Sequence, residues 1–265
     1  MPETPPPPAA VTAGMGRLLT AASIMGVMLK GEYDNITLRF NGDGPAGSII
    51  AVADSSGNGR ISVQNPIVEL PLNDKGKLDV SGALGKTGYL YVIKDIGLKE
   101  PFIGTTEIVS GEVAEDITNY YAVSEQTPSV CSLGVLINPD LSVNCAGGFL
   151  IQLLPGCPDE IIDVIEKNIA GIPPVTTMLT DGLTPDDMAK KALSGLKIEK
   201  LDESEFTYKC ACSRQKAEAA MLSAGRAELE DMVKENKPFT VECHFCNNNY
   251  EFTTEQIKTL LKKLK

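Results

Sequence analysis

The chain has 265 residues, of which 43% are hydrophobic, so it can bury a sizeable core and is not a disordered chain. Its 24 basic and 35 acidic residues give a net charge of −11 at pH 7, which disfavours nucleic acid as a partner. The longest apolar stretch, residues 18–29, is too short to span a bilayer, and no secretory signal is recognisable. We therefore expect a cytoplasmic protein that binds neither membranes nor nucleic acid.

The first 171 residues predict an α+β fold. Residues 1–9 are Pro-rich and are predicted to be disordered, and residues 15–30 are predicted to form a buried helix. Short strands separated by turn signals follow, which favours a largely antiparallel sheet with helices packed on it. The predicted strands are 36–40, 48–54, 60–63, 89–93, 105–109, 130–137 and 148–154, and the further helices are 112–123 and 158–170.

Residues 172–208 have a different composition. Prolines at 173–174 and Gly182 interrupt short helical pieces, and Thr184-Pro185 is a favourable helix start. Apolar residues are sparse, and the charges over 197–205 are mixed in sign. The pattern is typical of a connecting segment of marginal stability, and an ordinary structural subdomain fits it equally well.

Residues 209–265 predict a small compact module. A helix is expected from Arg214 to Gly225 with Ser213 as its N-cap, followed by a short helix around 229–233. A hairpin of 239–243 and 250–252 comes next, and a capping box at Thr253-x-x-Gln256 starts a last helix.

Four of the seven cysteines lie in this module as two close pairs. They read Cys210-x-Cys212, then 30 intervening residues, then Cys243-x-x-Cys246. Four thiolates from two pairs suit a tetrahedral zinc ion, and a metal-free set of buried cysteines is the alternative. The module is small for an independent core, so the metal can supply much of its folding energy. The sequence thus predicts one Zn²⁺ held by Cys210, Cys212, Cys243 and Cys246.

The same cysteines have redox chemistry available to them. Zinc-bound cysteines are thiolates, which is the species that oxidants attack, and a disulfide between two ligands removes both from the metal. Loss of the metal would then unfold a small metal-dependent module. From this chemistry alone, a purely structural zinc module is still the favoured interpretation.

The remaining cysteines and the histidine show no such pattern. Cys131, Cys145 and Cys157 are interpreted as small buried or half-buried hydrophobic residues. His244 is the only histidine, and we interpret it as a solvent-facing loop residue because four cysteines already fill the site. Without a second histidine, a Cys–His or Ser–His pair within the sheet domain is excluded, and we expect no enzymatic activity.

Several segments resemble the heat-shock protein 33 family, the redox-regulated holdase chaperones of the bacterial cytosol. Besides the cysteine motif, four segments match in family order. They are Gly16–Ala22 (GRLLTAA), Gly42–Pro45 (GDGP), Ser124–Pro128 (SEQTP) and Ala146–Gln152 (AGGFLIQ). The resemblance runs from about Pro8 to the C-terminus and is specific.

The resemblance implies a three-part layout and a switch. Residues 1–171 would be the client-binding and dimerisation core, 172–208 a metastable helical linker, and 209–265 a zinc-binding redox switch. The reduced, zinc-bound family member is inactive. Oxidation pairs the ligands, here Cys210 with Cys212 and Cys243 with Cys246, and the metal is lost. The linker unfolds, and unfolding client proteins are bound without ATP, usually by a homodimer.

One feature departs from the family pattern. Family members usually carry a strand and a helix ahead of the segment at 16–22, whereas only a Pro-rich stretch precedes it here. We therefore expect a truncated or mis-started chain. An intact mass of 28.3 kDa for the protein from its natural source would contradict this expectation.

Two other classes of function fit the sequence less well than the chaperone. A zinc-module protein acting on nucleic acid or the transcription machinery would have a basic tail, but residues 201–265 contain 10 basic and 11 acidic residues. A thiol–disulfide oxidoreductase would need an exposed CxxC at a helix start, whereas Cys243-x-x-Cys246 is predicted to lie in a hairpin and to be masked by zinc.

Overall fold

The structure is a computed structural model that describes residues 8–264. The chain divides between Tyr208 and Lys209 into two compact units. The first unit is an α+β domain with two antiparallel sheets and with helices packed on them. This confirms the predicted fold class.

The larger sheet has five antiparallel strands in the order β3-β2-β1-β4-β5. Alternate residues of β1, among them Ile36, Leu38 and Phe40, are fully buried, because side chains two apart on a strand share one face. The strands are β1 (Asn35–Gly42), β2 (Ser48–Asp54), β3 (Gly59–Val63), β4 (Gly88–Asp95) and β5 (Phe102–Glu107). The last strand begins three residues before its predicted start.

Helix α1 (Ala9–Gly26) lies at the centre of this unit. It contacts β1, β2 and β3 of the large sheet and also the second sheet, formed by β6 (Ser129–Ile137) and β7 (Val143–Gln152). A helix covered on two sides has to be apolar nearly all round, which is what its sequence predicts.

Two predicted boundaries of α1 are wrong. The helix begins at Ala9 and not at 15, because Pro8 takes the N-cap position and Ala9-Ala10 continue the helix without a break. It ends at Gly26 and not at 30. A Cβ on Gly26 would lie 2.5 Å from the carbonyl oxygen of Asp54, so the chain passes close to β2 at this point. The disorder predicted for residues 1–9 falls outside the described residues up to position 7, and it is wrong for Ala9.

Strand β7 also begins earlier than expected, at Val143 and not at 148. Val143, Cys145 and Ala146 pair with β6, whereas Asn144 is left unpaired, because the register shifts between Leu136 and Ile137 of β6. A bulge of this kind carries no clear sequence signal, since it depends on the partner strand.

The family-like segment 42–45 closes the large sheet against helix α2 (Val80–Leu84). The carboxylate of Asp43 accepts hydrogen bonds from the backbone N–H groups of Lys86 (2.9 Å) and Thr87 (3.2 Å) and from the Thr87 hydroxyl. The bond from the Thr87 side chain holds the pKa of Asp43 below its usual value. A Cβ on Gly44 would lie 2.3 Å from the Gly85 nitrogen, so the two backbones can approach only because Gly44 lacks a side chain.

The start of helix α3 (Ala114–Val123) is held by a buried carboxylate. Asp116 is 1% exposed and accepts hydrogen bonds from the backbone N–H groups of Val109 (2.8 Å), Ser110 (3.1 Å) and Val113 (3.0 Å). These bonds hold Val113 at a φ of 64°, which is costly for a β-branched residue.

We predict that Asp116→Ala destabilises the first unit by about 2 kcal/mol, because buried donors lose their acceptor. Urea unfolding followed by circular dichroism measures this. The control is Glu115→Ala, which changes the exposed neighbouring carboxylate. Equal midpoints for the two variants would show that the Asp116 bonds do not stabilise the fold.

Residues 153–208 form three short helices and an extended segment. The helices are α4 (Asp159–Gly171), α5 (Val175–Thr180) and α6 (Pro185–Ala192). The predicted start of α6 is confirmed, because Thr184 and Asp187 form a capping box there. Helix α5 packs on β6 and β7, and it comes so close to β6 that a Cβ on Gly134 would lie 2.9 Å from the Val175 side chain.

A small apolar cluster anchors these helices. Val175, Met178 and Met188, which we call the linker cluster, are each at most 3% exposed and form a core separate from that of the sheet. Phe149 of β7, Ile172, Leu179 and Leu183 pack around them. Because three fully buried side chains supply little hydrophobic free energy, this segment depends on a few contacts.

Candidate metal centre

The second unit contains the cysteine module. Its elements are α7 (Arg214–Ala224), α8 (Arg226–Glu235), β8 (Phe239–Glu242), β9 (Asn249–Phe252) and α9 (Thr254–Lys263). The predicted caps are confirmed: the Ser213 hydroxyl accepts the Lys216 N–H, and Thr253 forms a capping box with Gln256. Gly225, with a φ of 95°, separates the two helices.

The module has a small apolar core. Its buried members are Ala217, Met221, Leu229, Phe252, Ile257 and Leu260. Such a core is too small to stabilise a domain of this length without a further contribution.

The four cysteines come together at one end of this module. Cys210 and Cys212 lie in the loop before α7, and Cys243 and Cys246 lie in the turn between β8 and β9. The backbone of this turn is fixed, since the carbonyl of Cys243 accepts the N–H groups of Cys246 (3.2 Å) and Asn247 (2.8 Å).

The four Sγ atoms all lie within 4.8 Å of one another. The Cys210 and Cys243 sulfurs are 3.6 Å apart, and the Cys212 and Cys246 sulfurs are 3.4 Å apart. A tetrahedral ion with Zn–S bonds of about 2.3 Å requires sulfurs about 3.8 Å apart. The residues therefore fit a four-sulfur metal site, with all four ligand positions supplied by cysteine.

Two polar side chains face the Cys212 sulfur. The Tyr250 hydroxyl donates a hydrogen bond to Sγ over 3.1 Å, and the Asn248 side-chain amide lies 3.8 Å from the same atom. The bond from Tyr250 lowers the pKa of Cys212 to about 6, and the same contact raises the pKa of Tyr250 to about 12. Cys212 also immediately precedes the N-cap of α7, where a helix favours negative charge.

Sequence reasoning missed Tyr250 as a partner of the site. A signal was present, because Tyr250 pairs with Val241 across the hairpin, and Cys243 follows Val241 by two residues, directly after the end of β8. Residues two apart on a strand share a face, so Tyr250 lies on the strand face that leads to the site.

The other three cysteines lie away from the four sulfurs. Cys131 is on β6, where burial raises the pKa of its thiol to about 12, which disfavours the reactive thiolate. Cys145 is on β7, and Cys157 lies in the loop before α4; both are half-buried. His244 is exposed in the turn between two ligand candidates, which confirms its interpretation as a solvent-facing residue.

Among residues 8–264, no helix combines the length and apolar character needed to cross a membrane. The sheets of the first unit and the four sulfurs of the second define the class: an α+β protein with a C-terminal four-cysteine module of the kind that binds metal.

Comparison with known proteins gives the family. A family model described as Hsp33 protein matches residues 4–253. The chain belongs to the Hsp33 family.

Several named relatives are similar over nearly the whole chain. The 33 kDa chaperonin of Clostridium botulinum (strain Alaska E43) is 46% identical over 250 residues, covering 94% of this chain and 85% of the relative. The 33 kDa chaperonin of Acetivibrio thermocellus is 47% identical over 251 residues, covering 95% of this chain and 84% of the relative. The crystal structure of the 33 kDa chaperonin (heat shock protein 33 homolog) of Thermotoga maritima matches with a TM-score of 0.87 and 41% identity, over 96% of this chain and 86% of that one.

Proposed function

We propose that this protein is a redox-regulated, ATP-independent holdase chaperone. It is inactive when reduced and zinc-bound, and oxidation activates it to protect unfolding proteins from aggregation. The observation that carries the proposal is the set of four sulfurs within 4.8 Å in an Hsp33-family chain whose relatives are named 33 kDa chaperonins. Clients, as the family resemblance implies, are unfolded or aggregating proteins in the cytoplasm.

We assign one Zn²⁺ to Cys210, Cys212, Cys243 and Cys246. When bound, the ion keeps the four sulfurs as thiolates and supplies folding free energy to the module. The donor set supports zinc, because a tetrahedral set of four sulfurs is typical of zinc and offers no hard oxygen ligand. Tyr250 supports the same assignment, since its hydroxyl stabilises negative charge on the Cys212 sulfur.

Oxidation converts the ligands into disulfides. We assign the pairs Cys210–Cys212 and Cys243–Cys246, following the family resemblance. Each disulfide forms one S–S bond, and its two thiolates give up two electrons, which with two protons reduce one hydrogen peroxide to water. The four cysteines then no longer form a ligand set, and the module loses the contribution that its small core cannot replace.

The linker transmits this change in the proposed layout of core (1–171), linker (172–208) and redox switch (209–265). The linker cluster of Val175, Met178 and Met188 contains only three buried side chains, so a few kcal/mol suffices to release it. Its release uncovers apolar side chains of the linker and of β7, such as Phe149 and Leu179, which then bind exposed apolar segments of clients. Met178 is 1% exposed, so in the described state it packs inside and does not form a client surface.

The active form is proposed to be a homodimer, as the resemblance implies, and its function is binding and not catalysis. The alternative is a protein whose zinc module is purely structural and which acts as a binding or transcription-associated factor. A structural zinc site also has four protein ligands that complete the coordination of the ion. The four sulfurs therefore support both functions.

Light scattering by a heat-denatured client, which reports its aggregation, distinguishes the redox-regulated chaperone from the protein with a structural zinc module. The reduced, zinc-loaded protein is expected to leave aggregation unchanged. The same protein treated with peroxide at mildly elevated temperature is expected to suppress it, and dithiol treatment is expected to reverse the effect. Equal scattering with the reduced and oxidised protein would contradict the chaperone switch and leave the structural module.

Tyr250→Phe is expected to weaken zinc binding about tenfold, because it removes the hydrogen bond to Cys212 without changing the ring. Competition with a chromophoric chelator under reducing conditions measures the affinity. Tyr89→Phe, which alters a half-exposed tyrosine of β4, is the matched control. An affinity equal to that of the control would show that Tyr250 does not support the site.

A further inference from the structure

The outer edge of strand β3 already holds a short piece of extended chain. β3 is the last strand of the large sheet and pairs with β2 on one side only. On its other side it forms a parallel bridge with the segment that precedes the cysteine module, between Gly59 and Tyr208. We call Thr207–Tyr208 the docked segment and Gly59–Val63, with Asn58, the β3 edge.

Hydrogen bonds to backbone groups and to one side-chain amide join the docked segment to the β3 edge. The Gly59 N–H donates to the Thr207 carbonyl over 3.1 Å, and the Asn58 side-chain oxygen accepts the Thr207 N–H over 2.9 Å. The Tyr208 hydroxyl donates to the Ile61 carbonyl over 3.2 Å and accepts the Ile61 N–H over 3.4 Å. A phenol thus takes the place where the backbone of a complete neighbouring strand would bind.

The receptor side is pre-arranged. The Asp54 carboxylate accepts the backbone N–H groups of Ser56 and Asn58, each over 3.0 Å, which fixes the β2–β3 turn. The second Asp54 oxygen accepts the Asn58 side-chain NH₂ over 3.3 Å, so the Asn58 oxygen is directed to the docked segment. An acceptor and an N–H donor are therefore in place at the start of the edge.

The docked segment fills only part of this edge. Outward-facing backbone groups alternate along an antiparallel strand, so Gly59, Ile61 and Val63 all present theirs to the open side. Thr207–Tyr208 make one backbone bond at Gly59, reach Ile61 through a side chain, and leave Val63 outside the bridge. A longer extended chain can make backbone bonds at all three positions.

The chain on either side of the docked segment decides how firmly the segment is held on the β3 edge. Phe206 is 60% exposed and Leu201 is 89% exposed, so the chain before it adds little buried surface. Tyr208 is two residues before Cys210, so freeing that cysteine from a metal set removes the restraint on the segment's C-terminal side.

We infer that the β3 edge is a binding site for the extended backbone of an unfolding protein, closed in the described state by Thr207–Tyr208 and opened when the cysteine module loses its fold. The inference rests on the proposed function and specifies one client site for it. Backbone N–H and C=O groups are common to all sequences, so strand addition at this edge binds clients regardless of sequence.

Amide hydrogen exchange of Gly59 and Ile61, read by NMR on the full chain, tests the inference. The probe is reduced, carboxymethylated α-lactalbumin, which stays unfolded. Slow exchange is expected in the reduced protein, fast exchange after oxidation, and slow exchange again when the probe is added to the oxidised protein. Light scattering with an aggregating client, and co-migration of the probe with the protein, are recorded in the same samples.

The outcomes separate the two proposals. If oxidation suppresses aggregation and the probe binds while these amides stay fast, the client site is elsewhere and this inference fails alone. If oxidation neither suppresses aggregation nor allows the probe to bind, the proposed function fails, and the inference fails with it. If exchange at both amides is unchanged by oxidation, the segment is not released and the inference fails.

Tyr208→Phe tests the closure by itself. In the reduced, zinc-loaded protein the Ile61 amide is expected to exchange about tenfold faster, the factor for losing one hydrogen bond. Tyr33→Phe, a tyrosine that is 88% exposed, is the matched control. Unchanged exchange at Ile61 in Tyr208→Phe would show that the docked segment does not close the edge.

Discussion

Cys246→Ser is expected to abolish zinc binding and to unfold the C-terminal module of the reduced protein. The variant removes one of the four sulfurs that lie within 4.8 Å, and a serine hydroxyl is not a zinc ligand at neutral pH. Structural zinc contributes about 10–16 kcal/mol in small modules, far more than the module's six buried side chains can replace. Zinc per chain should therefore fall from about one to near zero, as the single tetrahedral site requires.

Zinc content by elemental analysis and amide exchange over residues 209–264 measure this result. Cys157→Ser is the matched control, because Cys157 is half-buried, lies outside the four-sulfur set and should leave both readouts unchanged. Under the proposed switch, Cys246→Ser should also suppress client aggregation without any oxidant. A variant that keeps one zinc per chain and a folded module would contradict the assignment of Cys246.

Met178→Ala is expected to activate the reduced protein while its zinc stays bound. Met178 is 1% exposed and is one of three buried side chains in the linker cluster. Its truncation should cost about 2–5 kcal/mol, which is about half of what three buried side chains can supply. The linker should then leave β6 and β7 without any change at the cysteines, so that client binding no longer requires oxidation.

Client aggregation and zinc content, measured on the same reduced sample, test this expectation. Leu201→Ala is the control, since Leu201 belongs to the same segment but is 89% exposed. If Met178→Ala suppresses client aggregation while zinc stays bound, release of the linker is the step between loss of zinc and client binding. Full aggregation with Met178→Ala, despite a measured loss of linker protection in amide exchange, would contradict the proposed role of the linker.

The sequence predicted the features that are determined locally. Alternating Ile36, Leu38 and Phe40 predict a half-buried strand because the period of a strand is two. Thr184 and Thr253 predict helix starts because a hydroxyl accepts an N–H of the first turn. The pairing of two short cysteine motifs predicted which sulfurs come together, since each pair is close along the chain.

The features that sequence reasoning missed depend on partners distant in sequence. The start of β7 at Val143 is set by a bulge opposite β6, and Tyr250 reaches Cys212 only through the hairpin pairing. The docked segment has no strand pattern of its own, because Thr207 and Tyr208 bind through a backbone carbonyl and a phenol to an edge 147 residues away in the chain. Contacts of this kind follow from the folded sheet and not from local periodicity.

In the proposed switch, loss of zinc from the four cysteines and the gain of client binding are one event. Zinc release, followed with a chromophoric chelator during peroxide treatment at mildly elevated temperature, should be recorded together with client light scattering. Under this switch, zinc release and client protection are expected to rise together, and both are expected to reverse with dithiol and added zinc. Zinc that stays bound while protection appears, or that leaves without protection, would contradict it.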